Sequence, residues 1–199
     1  MKHQARLFVV VAALASVTAF SGCDAISGYF RAQNAAVKWE GPIEEIASSE
    51  ITKDGKVFTI EMVSRIDAPP DKVWAAMKQP EKLSQNSDQY KKSDILKDEG
   101  NHKELELHVM ALDNLQQLTV AMDFDDATQT LTIKTLTSTI ADIEGKYTLT
   151  PSPDGTKTLY TYNAKQTDKV ALPISEDVQR SAIKESFVNQ VRAIKKQIS

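Results

Sequence analysis

From residue 56 onward, apolar residues recur along the chain in two rhythms. At 56–67, Phe58, Ile60, Met62 and Ile66 fall on one face and Thr59, Glu61 and Arg65 on the other, the alternation of a half-buried strand. Ala68-Pro69-Pro70 ends it, because proline cannot donate to a strand ladder. A short helix is predicted at 71–79, burying Val73, Trp74 and Met77, and Pro80-Glu81-Lys82-Leu83 opens a second helical turn. Period two then returns at 90–97, 103–111, 116–124, 130–137, 142–150 and 157–165, with turns at Glu99-Gly100-Asn101, Asp113-Asn114, Asp125-Asp126 and Pro153-Asp154-Gly155. Leu105, Leu107, Val109 and Ala111 share a face, as do Leu118, Val120, Met122 and Phe124. The short loops imply an antiparallel meander with one apolar face.

The rhythm changes once more at the C-terminus. Ser175 is a good N-cap, Glu176 and Asp177 suit the positive end of a helix, and Lys195 and Lys196 its negative end. Val178, Ala182, Phe187, Val191, Ile194 and Ile198, broadened by Ile183 and Val188, form an apolar stripe at helical spacing. Such a helix needs an apolar partner, and the inner face of the sheet is the only large one.

The N-terminus is different in kind. Lys2 and Arg6 are the only ionised side chains before Cys23, and Leu7 to Phe20 carries no charge. As a helix that run spans only about 21 Å at ~1.5 Å per residue, short of the ~30 Å hydrocarbon core of a bilayer. It reads as a secretory signal peptide. The sole cysteine follows in Phe20-Ser21-Gly22-Cys23, which resembles the lipobox of bacterial lipoproteins, with Phe20 where leucine is usual. That resemblance implies an acylated Cys23 at the mature N-terminus, anchoring the chain on the periplasmic side of a bacterial membrane. Asp24 resembles the signal for retention in the inner membrane. The expected organisation is a signal peptide at 1–22, a lipidated tether and lead-in segment at 23–54, broken by Gly41-Pro42, and a folded domain at 55–199.

Charge narrows the function. The whole chain carries 24 Lys+Arg against 27 Asp+Glu, a net −3, and loss of Lys2 and Arg6 makes the mature chain more acidic still. This argues against a nucleic-acid partner, and an anionic leaflet would repel the body, leaving the anchor to hold it. One cysteine excludes an internal disulfide and a cysteine-based zinc site. His102 is expected in a turn and His108 on a polar face, neither with a second ligand at metal spacing; no metal or cofactor is expected. Asp123, Asp125 and Asp126 read as a solvated hairpin tip, and Asp142 and Glu144 as outward. No Gly-x-Ser-x-Gly elbow or glycine-rich phosphate loop is present.

The stretch Ile66-Asp67-Ala68-Pro69-Pro70-Asp71-Lys72-Val73-Trp74-Ala75-Ala76-Met77, followed by Gln79-Pro80-Glu81-Lys82-Leu83, together with the order of elements, resembles the START-like (SRPBCC) superfamily of polyketide cyclases and lipid-transport proteins. The resemblance covers roughly 55–199. It implies an α+β helix-grip fold: a curved seven-stranded antiparallel sheet wrapped around a long C-terminal helix, with two short helices after the first strand. It also implies an apolar pocket for lipids, sterols, polyketides or similar molecules, and it carries over no catalytic residue.

On that fold the pocket would lie between Leu107, Val109, Val120, Met122, Ile133, Ile143, Tyr160 and Tyr162 on the sheet and Ile183, Phe187 and Val191 on the helix. The same residues could fill a solid core. Tyr160 and Tyr162 stand out, because a buried phenol needs a hydrogen-bond partner; Trp74 reads as packing. The reading is a membrane-anchored, non-enzymatic protein that binds a hydrophobic small molecule or lipid. The alternatives are a cyclase or hydrolase acting on an apolar substrate, which needs polar groups converging in the cavity, and an envelope interaction module with no ligand.

Overall fold

The structure, a computed structural model, describes Trp39 and residues 45–111 and 114–199. The signal peptide, Cys23 and Asp24 lie outside the described residues. Eight strands form one antiparallel sheet: β1 (Ser48–Asp54), β2 (Val57–Ile66), β3 (Tyr90–Asp98), β4 (His102–Ala111), β5 (Asn114–Asp125), β6 (Thr130–Ser138), β7 (Ala141–Pro151) and β8 (Thr158–Asp168). Their order is β1-β2-β8-β7-β6-β5-β4-β3, so only the step from β2 to β8 departs from a simple meander. After β2 come α1 (Pro70–Met77), a 3-10 turn (Pro80–Lys82) and α2 (Leu83–Asn86). The long helix α3 (Glu176–Ile198) closes the chain and packs against the inner face of the sheet. This is the expected α+β helix-grip arrangement.

The strand count is eight where seven are expected. The additional strand, β1, comes from the stretch read as a lead-in, and pairs with β2 from Ser48↔Val63 to Asp54↔Val57. Its sequence offers one apolar residue, Ile51, so no alternation announces it. The turn after it depends on Gly55, whose φ of 56° is a conformation that side-chain-bearing residues avoid.

Helix α1 begins at Pro70, whose missing N–H costs nothing in a first turn. It ends two residues earlier than predicted because Gln79, preceding Pro80, is pushed out of the helical region (φ −118°, ψ 60°). It buries Val73, Trp74, Ala76 and Met77. The Trp74 ring meets Phe124 edge-on at 5.7 Å, and its Nε1 donates to Asp126 Oδ1 at 2.7 Å. Asp126, read as part of a solvated tip, thus ties the β5–β6 turn to α1, with Lys78 Nζ at 2.9 Å from both its oxygens.

In α3, Ser175 caps as expected, its Oγ accepting from the Val178 N–H at 3.4 Å. The stripe is buried unevenly. Phe187, Val191 and Ile194 are core, Ala182 and Ile183 are half-buried, and Val178 is exposed. The C-terminal half of α3 packs into a dense core, while its N-terminal half faces a cavity. All eight strands and this core fall within the compact unit Ala35–Ser199, which therefore closes its own hydrophobic interior.

Candidate functional site

Between the inner face of the sheet and the N-terminal half of α3 lies a cavity of about 400 Å³, in the range that accommodates small molecules. Strand alternation directs Leu107, Val109, Val120, Ile133, Ile143 and Tyr162 into it, and helical spacing directs Ile183 and Phe187. Eight of the eleven residues predicted for the pocket therefore meet on its wall. Met122, Tyr160 and Val191 do not; they are buried in the hydrophobic core. Each belongs to the right face but sits too far along its element. Tyr160 pairs with Leu149, one inward step past the Tyr162↔Tyr147 pair, and Val191 lies one turn beyond Phe187.

The wall also has members the sequence reading missed. Tyr147 follows Ile143 and Gly145 on the inward parity of β7, so its position was available from alternation. Ser186 and Gln190 are polar residues flanking the apolar stripe of α3, and Tyr90 opens β3. Gln166 and Gln179 line the cavity near residues Leu172 to Ile174 of the β8–α3 loop.

These additions assemble a phenol cluster. Tyr147 stacks on Tyr162 with ring centroids 4.4 Å apart and on Tyr160 at 5.2 Å, and Phe187 closes the stack at 5.8 Å from Tyr160. The stack is possible because Gly145 presents no side chain to Tyr162. The Tyr147 hydroxyl donates to Gln190 Oε1 at 3.0 Å, with the Tyr162 hydroxyl near that of Tyr147 and the Ser186 hydroxyl near that of Tyr90. The Tyr160 hydroxyl, fully buried, has no partner among the described residues. Burial pushes the Tyr90 phenol up to about 12, with Ser186 partly opposing the rise. The phenols of Tyr147, Tyr160 and Tyr162 are likewise raised above the ordinary value, again chiefly by burial. All four are neutral at physiological pH and serve as hydrogen-bonding groups, not bases.

One ion pair stands behind the wall. Lys53, on the inner side of β1, donates to Gln179 Oε1 at 3.0 Å and pairs with Asp168 Oδ2 at 3.5 Å, its ammonium 4.4 Å from the Phe58 ring centre. Gln166 Nε2 donates to the other oxygen of Asp168 at 3.1 Å. Edge strand, β8 and α3 are thereby tied together beside the cavity. Among the described residues, no Asp, Glu, Lys, Arg or His lines the cavity itself.

The other candidates lie elsewhere. His102 opens β4, with Nδ1 2.7 Å from Asp123 Oδ1, which raises its affinity for a proton. His108 Nε2 is 2.7 Å from Glu106, whose other oxygen takes Lys92 Nζ at 2.6 Å. Asp142 and Glu144 pair outward with Lys169 and Lys134. Among the described residues, no three His, Cys, Asp or Glu gather as a metal site would require, and no helix is long and apolar enough to cross a membrane.

The sequence profile of the family described as "Polyketide cyclase / dehydrase and lipid transport" matches residues 57–199. No curated protein matches the chain. Among solved structures, the fold is similar to the ZhuI aromatase/cyclase from Streptomyces sp. R1128, with a TM-score of 0.64 and 17% identity over 71% of this chain and 93% of that one. It is similar to a START superfamily protein from Mycobacterium smegmatis (TM-score 0.58, 13% identity, 70% of this chain and 96% of that one). It also resembles the STAR-related lipid transfer protein of Xanthomonas axonopodis (TM-score 0.54, 14% identity, 75% and 98%). At these identities the likeness is one of fold.

Proposed function

This chain belongs to the polyketide cyclase / dehydrase and lipid transport family, and from that footing we propose that it binds a hydrophobic small molecule or lipid while anchored by Cys23 on the periplasmic side of a bacterial membrane. The observation that carries the binding half is the cavity: about 400 Å³, walled mainly by aliphatic and aromatic side chains, with a few neutral polar groups. The anchor rests on Phe20-Ser21-Gly22-Cys23 after a basic start and an uncharged apolar run. Several acyl chains on one residue give stable attachment where a single chain does not. Asp24 favours the inner membrane as the one that bears it.

Binding is favoured over cyclisation or hydrolysis by the chemistry of the wall. General acid–base catalysis works best with a group that titrates near the working pH, and the phenols here titrate far above it. They are suited to holding an oxygen.

Two experiments test the two halves. Titration of the unit 35–199 with N-phenyl-1-naphthylamine, an uncharged apolar fluorophore, is expected to saturate at one site per chain; absence of saturable binding defeats the binding half. Radiolabelled palmitate fed to cells expressing the whole chain is expected to label it, and Cys23→Ala to abolish the label; unlabelled wild-type chain defeats the anchor.

A further inference from the structure

The polar side chains on the cavity wall are amides and hydroxyls: Asn114, Gln116, Gln166, Gln179 and Gln190, with Tyr90, Tyr147, Tyr162, two serines and one threonine. The nearby ion pair is already committed, since Lys53 is held by Asp168 and Gln179, and Asp168 also by Gln166. A charged ligand group would enter an apolar space with no free counter-charge on its wall, and burying an unpaired ion is strongly unfavourable.

The hydrogen bond at the phenol cluster has a direction. Gln190 spends its carbonyl oxygen on the Tyr147 hydroxyl, which turns its amide nitrogen, with two hydrogens, toward other partners. Among the described residues nothing takes those hydrogens. Those two hydrogens are left as donors for a ligand on the cavity wall.

We propose that the cavity selects an uncharged ligand with an apolar body and a carbonyl oxygen, of the ketone, quinone or ester class, and that this oxygen accepts from the Gln190 amide beside Tyr90 and Tyr147. The proposal rests on the binding reading above and narrows it.

The test uses the unit 35–199 and measures displacement of N-phenyl-1-naphthylamine by 2-undecanone and by undecanoate between pH 6 and pH 9. The ketone is expected to compete equally at every pH. Undecanoate is expected to be at least about tenfold weaker at pH 8 and to strengthen about tenfold per pH unit on acidification, because only its protonated form enters. Gln190→Met, which keeps length and apolar bulk, is expected to weaken the ketone about three- to tenfold more than it alters the affinity of the fluorophore, which has no carbonyl oxygen.

Undecanoate binding as tightly as the ketone at pH 8, without pH dependence, overturns the proposal and leaves the binding reading standing. A folded Gln190→Met protein with unaltered ketone affinity overturns the assigned contact. Failure of the fluorophore and both competitors to bind overturns proposal and reading together. Should Gln190→Met not fold, the pH comparison on the unaltered protein decides.

Discussion

Gly145 and Tyr162 occupy one space. A Cβ added at Gly145 would stand 2.7 Å from Tyr162 Cε2, closer than real Cβ contacts come, and a tight 3.1 Å from its hydroxyl oxygen. The ring cannot simply swing away, because Tyr147 is stacked on its other side at 4.4 Å. Glycine on β7 is thus what lets an aromatic ring lie flat across the strand pair and form the cavity wall. Gly145→Ala is expected to displace Tyr162, destabilise the domain by about 1–3 kcal/mol as overpacking does, and alter probe affinity. Urea unfolding and fluorophore titration check both. An unchanged midpoint and affinity would show that the stack is not needed.

Two tyrosines of the same cluster should respond oppositely to loss of the hydroxyl. Tyr147→Phe leaves Gln190 Oε1 buried without its donor and is expected to cost about 1–3 kcal/mol. Tyr160→Phe removes a hydroxyl that has no partner among the described residues, so it should be neutral or slightly stabilising. Equilibrium unfolding of the two variants side by side is the measurement; equal losses would contradict the Tyr147–Gln190 hydrogen bond.

The Lys53–Asp168 pair holds the edge strand to β8, with side chains only 16% and 9% exposed. Lys53→Met is expected to destabilise the domain by roughly 1–3 kcal/mol, because Asp168 keeps its charge and loses its ammonium. Adding Asp168→Asn should recover part of the loss, giving a non-zero coupling in a double-mutant cycle. Additive losses would mean the pair contributes only as separate residues.

Alkaline titration offers an optical test. Four of the chain's five tyrosines form the cluster. A phenol raised on folding contributes stability that is intact below its unfolded value, 10.0 here, and is lost as pH rises through the folded one. The loss should begin above pH 10 and continue past about 12, where Tyr90 titrates. In the unit 35–199, which contains only these four, tyrosinate absorbance is expected to appear together with loss of tertiary structure. A phenol titrating near pH 10 in the folded protein would place it in water.

Much of this architecture is legible from alternation and capping: the six strands after Tyr90, the proline-led α1, the Ser175 cap of α3. β1 is not, because an edge strand with only Ile51 to bury leaves no period to read. Alternation also says which way a residue points without saying how deep it lies. Met122, Tyr160 and Val191 therefore share a face with the wall residues yet fill the core. The phenol cluster depends on register, since Tyr147 meets Tyr162 only through the β7–β8 pairing. The Lys53–Asp168 pair joins residues 115 positions apart that no local pattern connects.

Native mass spectrometry of the unit 35–199, purified without detergent, tests the central claim most directly. The account predicts a stoichiometric small-molecule adduct that is apolar and uncharged, released on denaturation and displaced by N-phenyl-1-naphthylamine. A protein that is recovered empty and also takes up no apolar probe would contradict it.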